Sequence, residues 1–368
     1  MKVLYDHQTF TIQQYGGISR YFYELITRTS IDFESNLSCQ LSNNYYLNNS
    51  NKKLTTPFFK NLDFVGKTKI IKMVNQKYSL SKIKKHNFDL FHPTYYSTYF
   101  LENLAENPFI VTFYDMIHEK FSNEFKELKL DKKIFSNKRL LIKKAKRIIA
   151  ISEQTKKDII EIFNITGDNI DVVYLGNSLL NIDFNRTRLV EQDYILFVGN
   201  RGLYKNFIKF INSIRDLLII YDLHLVCAGG GRFTEEENRL LNSLEIRDRV
   251  FFKKIENDYD LANYYTNALF FSFPSLYEGF GIPILEAFAS RTPLLASNSG
   301  SLPEIAAEAA DYFNPSDENS IYKATEKLLI DSNRRNELIE LGTKRLTKFS
   351  WDKTFTETLN VYQKALNI

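Results

Sequence analysis

Short apolar runs, each stopped within a few residues by Pro, Gly, Asn or Asp, alternate along the chain with longer stretches in which apolar residues return every three or four positions. The first pattern is that of strands buried on both faces and the second that of amphipathic helices, so the expectation is an α/β protein with parallel sheets. In the first half, strands are predicted at 1–7 (MKVLYDH), 88–94 (FDLFHPT), 109–115 (FIVTFYD), 147–152 (RIIAIS) and 170–175 (IDVVYL). A second series follows at 194–199, 223–230, 249–255, 268–274 and 292–297. Between the two lies GNSLLNIDFNRTRLVEQD (176–193), polar and without clear period, which reads as a linker. The predicted division is therefore 1–178, 179–350 and a terminal helical segment 351–368. Two doubly wound halves of this kind bind ligands outside the carboxyl ends of their strands.

Composition narrows the class. A chain of 368 residues, 44% hydrophobic, has room for two or three cored domains. The start MKVLYDHQTF lacks an apolar signal core, and no run approaches the apolar length of a membrane span, so a cytoplasmic protein is expected. Cys39 and Cys227 fall in different halves and read as buried thiols, and five scattered histidines give no metal-ligand spacing. Charge is uneven, +8 over residues 1–180 and −4 over the rest. The basic residues gather at 66–88 and 132–147, interleaved with apolar positions. Such helices suit an anionic surface or are simply solvated faces; with no nucleic-acid motif beside them, the inner face of a membrane is the expected surface and nucleic acid is not.

The densest chemistry lies in PSLYEGFGIPILEAF (274–288). Pro274 stops an apolar run, Gly279 and Gly281 provide a tight turn, and Pro283 suits the first position of a helix. Amides of Phe280, Gly281 and Ile282 at that helix start suit a phosphate, and Glu278 and Glu286 can accept from sugar hydroxyls. The frame PSxxEGFGxPxxEA resembles the retaining glycosyltransferases of family 4, which have the GT-B fold: two Rossmann-like domains facing a central cleft, with the last helix returning to the first domain. The resemblance implies that Glu278 contacts the transferred sugar and Glu286 holds the ribose.

After the run YILFVG, Arg201 and Lys205 stand four residues apart where the next helix begins. A planar fork and a mobile ammonium together can neutralise a leaving diphosphate, and the family uses an Arg and a Lys here for that purpose. In QYGGISRYFYEL (14–25), Gly16 and Gly17 precede an amphipathic helix; the resemblance places donor phosphates and acceptor at this loop, with Arg20 and Tyr21 facing either the ligand or the adjacent helix.

One departure concerns the first half. Many family members have a His directly after the strand VTxx, whereas this chain reads VTFYDMIHEK, with Tyr114 at that position. Asp115 and His118 are then the residues expected at the sugar or acceptor. His92, Tyr95 and Tyr96 in FHPTYYSTYF and Tyr114 itself are further acceptor candidates. Asp258 or Asp260 reads as a helix N-cap, and the two do not read as a metal pair. The segments GGISRYFxEL, VTxYDMIHEKF and AxSExTKKDI look most like the mannosyltransferase-rich branch, which implies GDP-mannose as the leading donor, with UDP-sugars open.

No dedicated nucleophile accompanies the pattern, so a metal-independent front-face substitution without cofactor is expected. The acceptor would be a glycan or a lipid-linked sugar of surface polysaccharide or lipopolysaccharide. The alternatives are a nucleotide-sugar epimerase, a non-catalytic sugar-nucleotide-binding protein of the same fold, a glycoside hydrolase, and a nucleic-acid module using the basic half.

Overall fold

A computed structural model describes residues 1–125, 128, 131–179 and 188–368. Residues 180–187 of the predicted linker lie outside the described residues. The chain forms two compact units, Met1–Glu119 with Leu130–Leu175 and Trp351–Ile368, and Lys120–Lys129 with Gly176–Ser350.

The first unit contains β1 (Lys2–Asp6), β2 (Glu34–Ser38), β3 (Leu90–His92), β4 (Ile110–Phe113), β5 (Arg147–Ala150) and β6 (Ile170–Val172). Its strands run parallel in the orders β2-β1-β3 and β4-β5-β6, and a parallel bridge between Phe91 and Phe109 links the two sets. β2 was not legible as a strand, because ESNLS at a sheet edge buries only its last residue and carries no apolar run. The Trp351–Leu366 helix belongs to this unit, as the resemblance implies: Tyr362 and Tyr5 share a 2.8 Å hydroxyl hydrogen bond, and Phe355 packs edge-on to Phe33.

The second unit holds β7 (Tyr194–Val198), β8 (His224–Ala228), β9 (Val250–Lys253), β10 (Phe270–Phe273), β11 (Leu294–Ser297) and β12 (Asp311–Phe313). All are parallel, in the order β12-β11-β10-β7-β8-β9. Ile195, Phe197, Leu225, Cys227, Phe270 and Leu295 build the core with Phe210, Ile214 and Leu218 of the Phe207–Ile220 helix. The direction of winding reverses between β7 and β10, so the loops after these two strands border the position where an open parallel sheet leaves a ligand crevice. Cys39 and Cys227 are both buried free thiols. Among the described residues, no helix is long and apolar enough to cross a membrane.

Candidate functional site

The loop after β7 is built to carry Lys205. Gly199 leaves the strand at φ 101°, a short 3-10 turn covers Leu203–Lys205, and Asn206 in the left-handed region opens the next helix. Asn206 donates from Nδ2 to the carbonyls of Pro274 and Pro315, and the Leu276 amide donates to the Tyr204 carbonyl at 2.7 Å. These bonds fasten the β7 loop to the β10 loop. Lys205 Nζ then lies 2.7 Å from Glu278 Oε1, with the two side chains 19% and 12% exposed. A pair shielded to this extent interacts more strongly than a surface one while still leaving part of each group open to a ligand.

The Glu278 loop is held from behind. Ser301 Oγ donates to the carbonyls of Glu278 and Phe280, and a Cβ on Gly300 would stand 3.0 Å from the Glu278 amide nitrogen. Gly281, at φ 100°, caps the Ile282–Ala289 helix, and a Cβ there would meet Leu302 at 2.9 Å. Ile282, not Pro283, is the first helical residue, so the proline occupies the second position, where its missing N–H is equally harmless. Glu286 Oε2 accepts from the Tyr265 hydroxyl at 3.1 Å, and loss of solvent raises its pKa to about 7, opposed by that hydrogen bond. Tyr265 was not foreseen; nothing in DYDLANYYT distinguishes it from a core tyrosine.

Arg201 departs from its expected presentation. Its side chain is 3% exposed and pairs with Glu237 at 2.8 Å, while Nη2 donates to the carbonyls of Gly231 and Arg232 and Nη1 to that of Gly229. A buried guanidinium needs compensation on this scale, and the fork is spent on the chain's own groups. Glu237 was overlooked, although the spacing Thr234–Glu237 signalled a capping box, which the structure forms. Gly230 is equally constrained, since a Cβ would fall 2.2 Å from the Gly199 carbonyl oxygen. The loops after β7 and β8 thus lie one on the other.

Asp258 and Asp260 lie in the first turn of the Asp258–Thr266 helix and do not cap it; the cap is Asn257, whose extended backbone lets its side chain accept from the Asp260 amide at 2.9 Å.

In the first unit, Gly16 precedes the Gly17–Thr27 helix, and a Cβ there would crowd Gln13 Oε1 at 2.9 Å. That oxygen accepts from the Ser19 amide, so one donor of the helix start is already taken. Arg20 pairs with Glu24 and lies over the Tyr46 ring, while Tyr21 is buried with its hydroxyl 3.3 Å from Thr112. His118 is exposed on the short Ile117–Phe121 helix, and Asp115 accepts from the Ile117 amide.

The acceptor candidates at the ends of β3 and β4 are mostly buried. His92 is fully buried, with Nδ1 2.8 Å from the Tyr362 hydroxyl and Nε2 2.9 Å from Thr112; loss of solvent lowers its pKa to about 3. Its neutral ring bridges β3, β4 and the last helix. Tyr96 and Tyr114 are buried as well, and Tyr95 is half-buried. Lys138, read as part of a basic face, is instead buried against Glu119 at 2.8 Å and over the Tyr96 ring.

Comparisons with known proteins agree with this architecture. Residues 15–178 match the family described as Glycosyltransferase Family 4, and residues 181–345 that described as Glycosyl transferases group 1. An uncharacterized glycosyltransferase of Methanocaldococcus jannaschii, MJ1607, is 30% identical over 237 residues, 60% of this chain and 61% of that protein. The O-antigen chain mannosyltransferase RfbU of Salmonella typhimurium is 30% identical over 190 residues, 52% of this chain and 53% of that protein. The matched stretch thus spans between half and two thirds of the length of these curated relatives. Among solved structures, the sucrose-phosphate synthase of Thermosynechococcus elongatus has a TM-score of 0.77 at 17% identity, covering 100% of this chain and 99% of that one, a likeness of fold.

Proposed function

The chain belongs to glycosyltransferase family 4, with the two Rossmann-like domains of the GT-B fold, and from that premise we propose that it moves a hexose from a nucleotide-diphosphate sugar to a glycan or lipid-linked acceptor with retention at the anomeric carbon. The observation that carries the reading is the Lys205–Glu278 pair at 2.7 Å, held where the winding of the second sheet reverses and followed by Glu286 on the next helix. In this reading the ammonium exchanges part of its contact with Glu278 for the donor's diphosphate, and the freed carboxylate accepts from the sugar. Glu286 takes the ribose hydroxyls. Charge on the departing diphosphate is met by Lys205 and the amides opening the Ile282–Ala289 helix, without a metal. Arg201 and Glu237 serve as positioning residues, bracing the glycines after β8. Front-face substitution lets the leaving oxygen take the acceptor's proton on the side where the new bond forms.

Mannose is the proposed sugar and GDP-mannose the leading donor, supported by the likeness to an O-antigen mannosyltransferase; UDP-sugars are the competing donors. A lipid-linked acceptor would be met at an anionic membrane surface, which the +8 balance of residues 1–180 suits. The test is calorimetry with GDP, UDP and their sugars, followed by transfer from the tightest donor to a lipid-linked glycan and assignment of the product anomer. Inversion would overturn the mechanism, and binding of neither nucleotide would overturn the function.

A further inference from the structure

We propose that residues 57–65, with the outward face of the Lys67–Ile83 helix, form a wedge that enters the headgroup region of an anionic bilayer. The inference rests on the lipid-linked reading of the acceptor and adds to it a surface and named residues. Phe59 and Leu62 are each 57% exposed, Phe64 37% and Val65 fully exposed, all within seven positions. This apolar exposure is built into the loop. Asn43 exchanges two hydrogen bonds with the backbone of Phe58, at 2.8 and 3.0 Å. The Lys67 ammonium, itself buried, donates to the carbonyls of Phe59 and Leu62 at 2.9 and 2.7 Å. Phe58, Phe59 and Phe64 pack ring on ring, with centroids 4.8 to 6.4 Å apart. A charged side chain is withdrawn from water to hold a loop whose apolar side chains face water, an arrangement that fits a surface made to be covered.

The helix that follows continues the pattern. It buries Lys67, Ile71, Asn75, Ser79 and Ile83, four residues apart, so the opposite face carries Ile70 and Met73, 38% and 53% exposed, with Lys69 and Lys77 exposed beside them. From 52 to 85 the chain holds ten lysines against one acid, Asp63. Apolar side chains rimmed by lysines on an interfacial helix bind where acyl chains meet anionic headgroups. A nucleic-acid phosphate backbone would use the lysines but leave Leu62, Val65, Ile70 and Met73 without partners, and a second copy would bring the same excess of lysines against itself. Both are poorer occupants than a bilayer.

The position also suits the reaction. Asp63, Lys67 and Ile71 line a cavity of about 70 Å³ with Phe10, Ile12 and Gln14, the segment that runs directly into Gly16 and Gly17. Ile12 is 59% exposed there. An acceptor with its tail in the bilayer would then bring its sugar to the glycine loop.

The experiment uses the full chain carrying Val65→Trp, with vesicles of phosphatidylglycerol and phosphatidylcholine and with phosphatidylcholine alone. On the mixed vesicles the introduced indole is expected to shift to shorter wavelength and to be quenched by brominated acyl chains, with neither response on phosphatidylcholine. Phe59→Ser with Leu62→Ser should lower partitioning by about 100-fold, about tenfold for each large apolar side chain removed. Lys69→Ser with Lys77→Ser should weaken it at low salt and make little difference at high salt. Unchanged GDP- and UDP-sugar binding by these variants controls for folding.

Vesicle binding without a shift, indifferent to Phe59 and Leu62, would overturn the wedge and leave the membrane reading standing. Absence of flotation by the unsubstituted chain would overturn both in favour of a soluble acceptor. Equal competition by duplex DNA would assign the lysines to a polyanion. Self-association abolished by Phe59→Ser would assign the patch to a second copy.

Discussion

Lys205 and Glu278 of the second unit and His92, Tyr96 and Tyr114 of the first were all read from beyond or at the ends of short apolar strands. The structure treats the two groups in opposite ways. In the second unit, chain turning over Gly199 and Gly281 carries the polar side chains out to a reversal in strand order, where Asn206 and Ser301 hold the loops that present them. In the first, His92 is still within β3, and its imidazole becomes the buried polar link between two strands and the last helix. A polar residue beyond a strand end thus stays within reach of a ligand only where the chain leaves the sheet through such a turn. Without such a turn, the same residue type is satisfied internally.

The sharpest way to break this contrast is to substitute the Lys205–Glu278 pair. Lys205→Ala and Glu278→Gln should each lower turnover by roughly 100-fold or more, on the order of 3 kcal/mol of transition-state stabilisation, with melting temperature little changed. A transfer assay with saturating donor, paired with thermal unfolding, checks it. If either variant lost stability and kept its turnover, the pair would be structural, and the distinction between the units would vanish.

His92→Ala is the mirror experiment. It leaves the Tyr362 hydroxyl and Thr112 Oγ1 without this partner in the core and opens a cavity, so stability should fall by about 2–4 kcal/mol. Turnover per folded molecule should not change. Denaturant unfolding beside kcat decides between this and an acceptor role, which would show as a raised KM or a lowered kcat in a molecule of normal stability.

Arg201 sits between these extremes, because its charge is buried in the unit where other charges are displayed. As a brace, it acts through the carbonyls of Gly229, Gly231 and Arg232, and Glu237→Gln should reproduce most of the effect of Arg201→Ala, about tenfold in donor affinity. As a direct phosphate ligand, it would instead make Arg201→Ala far more damaging than Glu237→Gln. Donor titrations of the two variants and Arg201→Lys separate the roles, since a lysine supplies charge to a phosphate but cannot span three carbonyls and a carboxylate.

Much of this was legible in the sequence, for physical reasons that differ by element. Runs such as YILFV and ALFFSF could only be buried parallel strands, and all ten predicted strands formed within their stretches. β2 and β12 were missed because each is the outermost strand of its sheet order and ESNLS and DYF bury only their last residue, which leaves too little apolar signal. The Glu278 to Glu286 frame was readable because glycine, proline and carboxylate spacing is local. The Arg201–Glu237 pair and the contact between Glu286 and Tyr265 were not, since each joins segments that only the fold brings together. The lysine clusters were visible, but charge alone could not tell that Lys67 and Lys138 turn inward.

The smallest predicted effect is a pH dependence confined to the second unit. Burial raises the Glu286 pKa from the ordinary carboxyl value to about 7, against the lowering influence of the Tyr265 hydroxyl. Because the folded state holds this proton more tightly than the unfolded chain does, the group's contribution to stability is present in acid, declines as pH rises above about 4.5, and levels off above about 7. Donor affinity should run the other way: ribose hydroxyls donate best to the ionised carboxylate, so binding should tighten by a few fold as pH rises through about 7. Calorimetric titration of donor across that range reads the effect. Glu286→Gln should flatten the profile and weaken binding at its alkaline end, leaving the fold intact. A profile that keeps its slope in the variant would assign the titration to another group and remove Glu286 from the ribose.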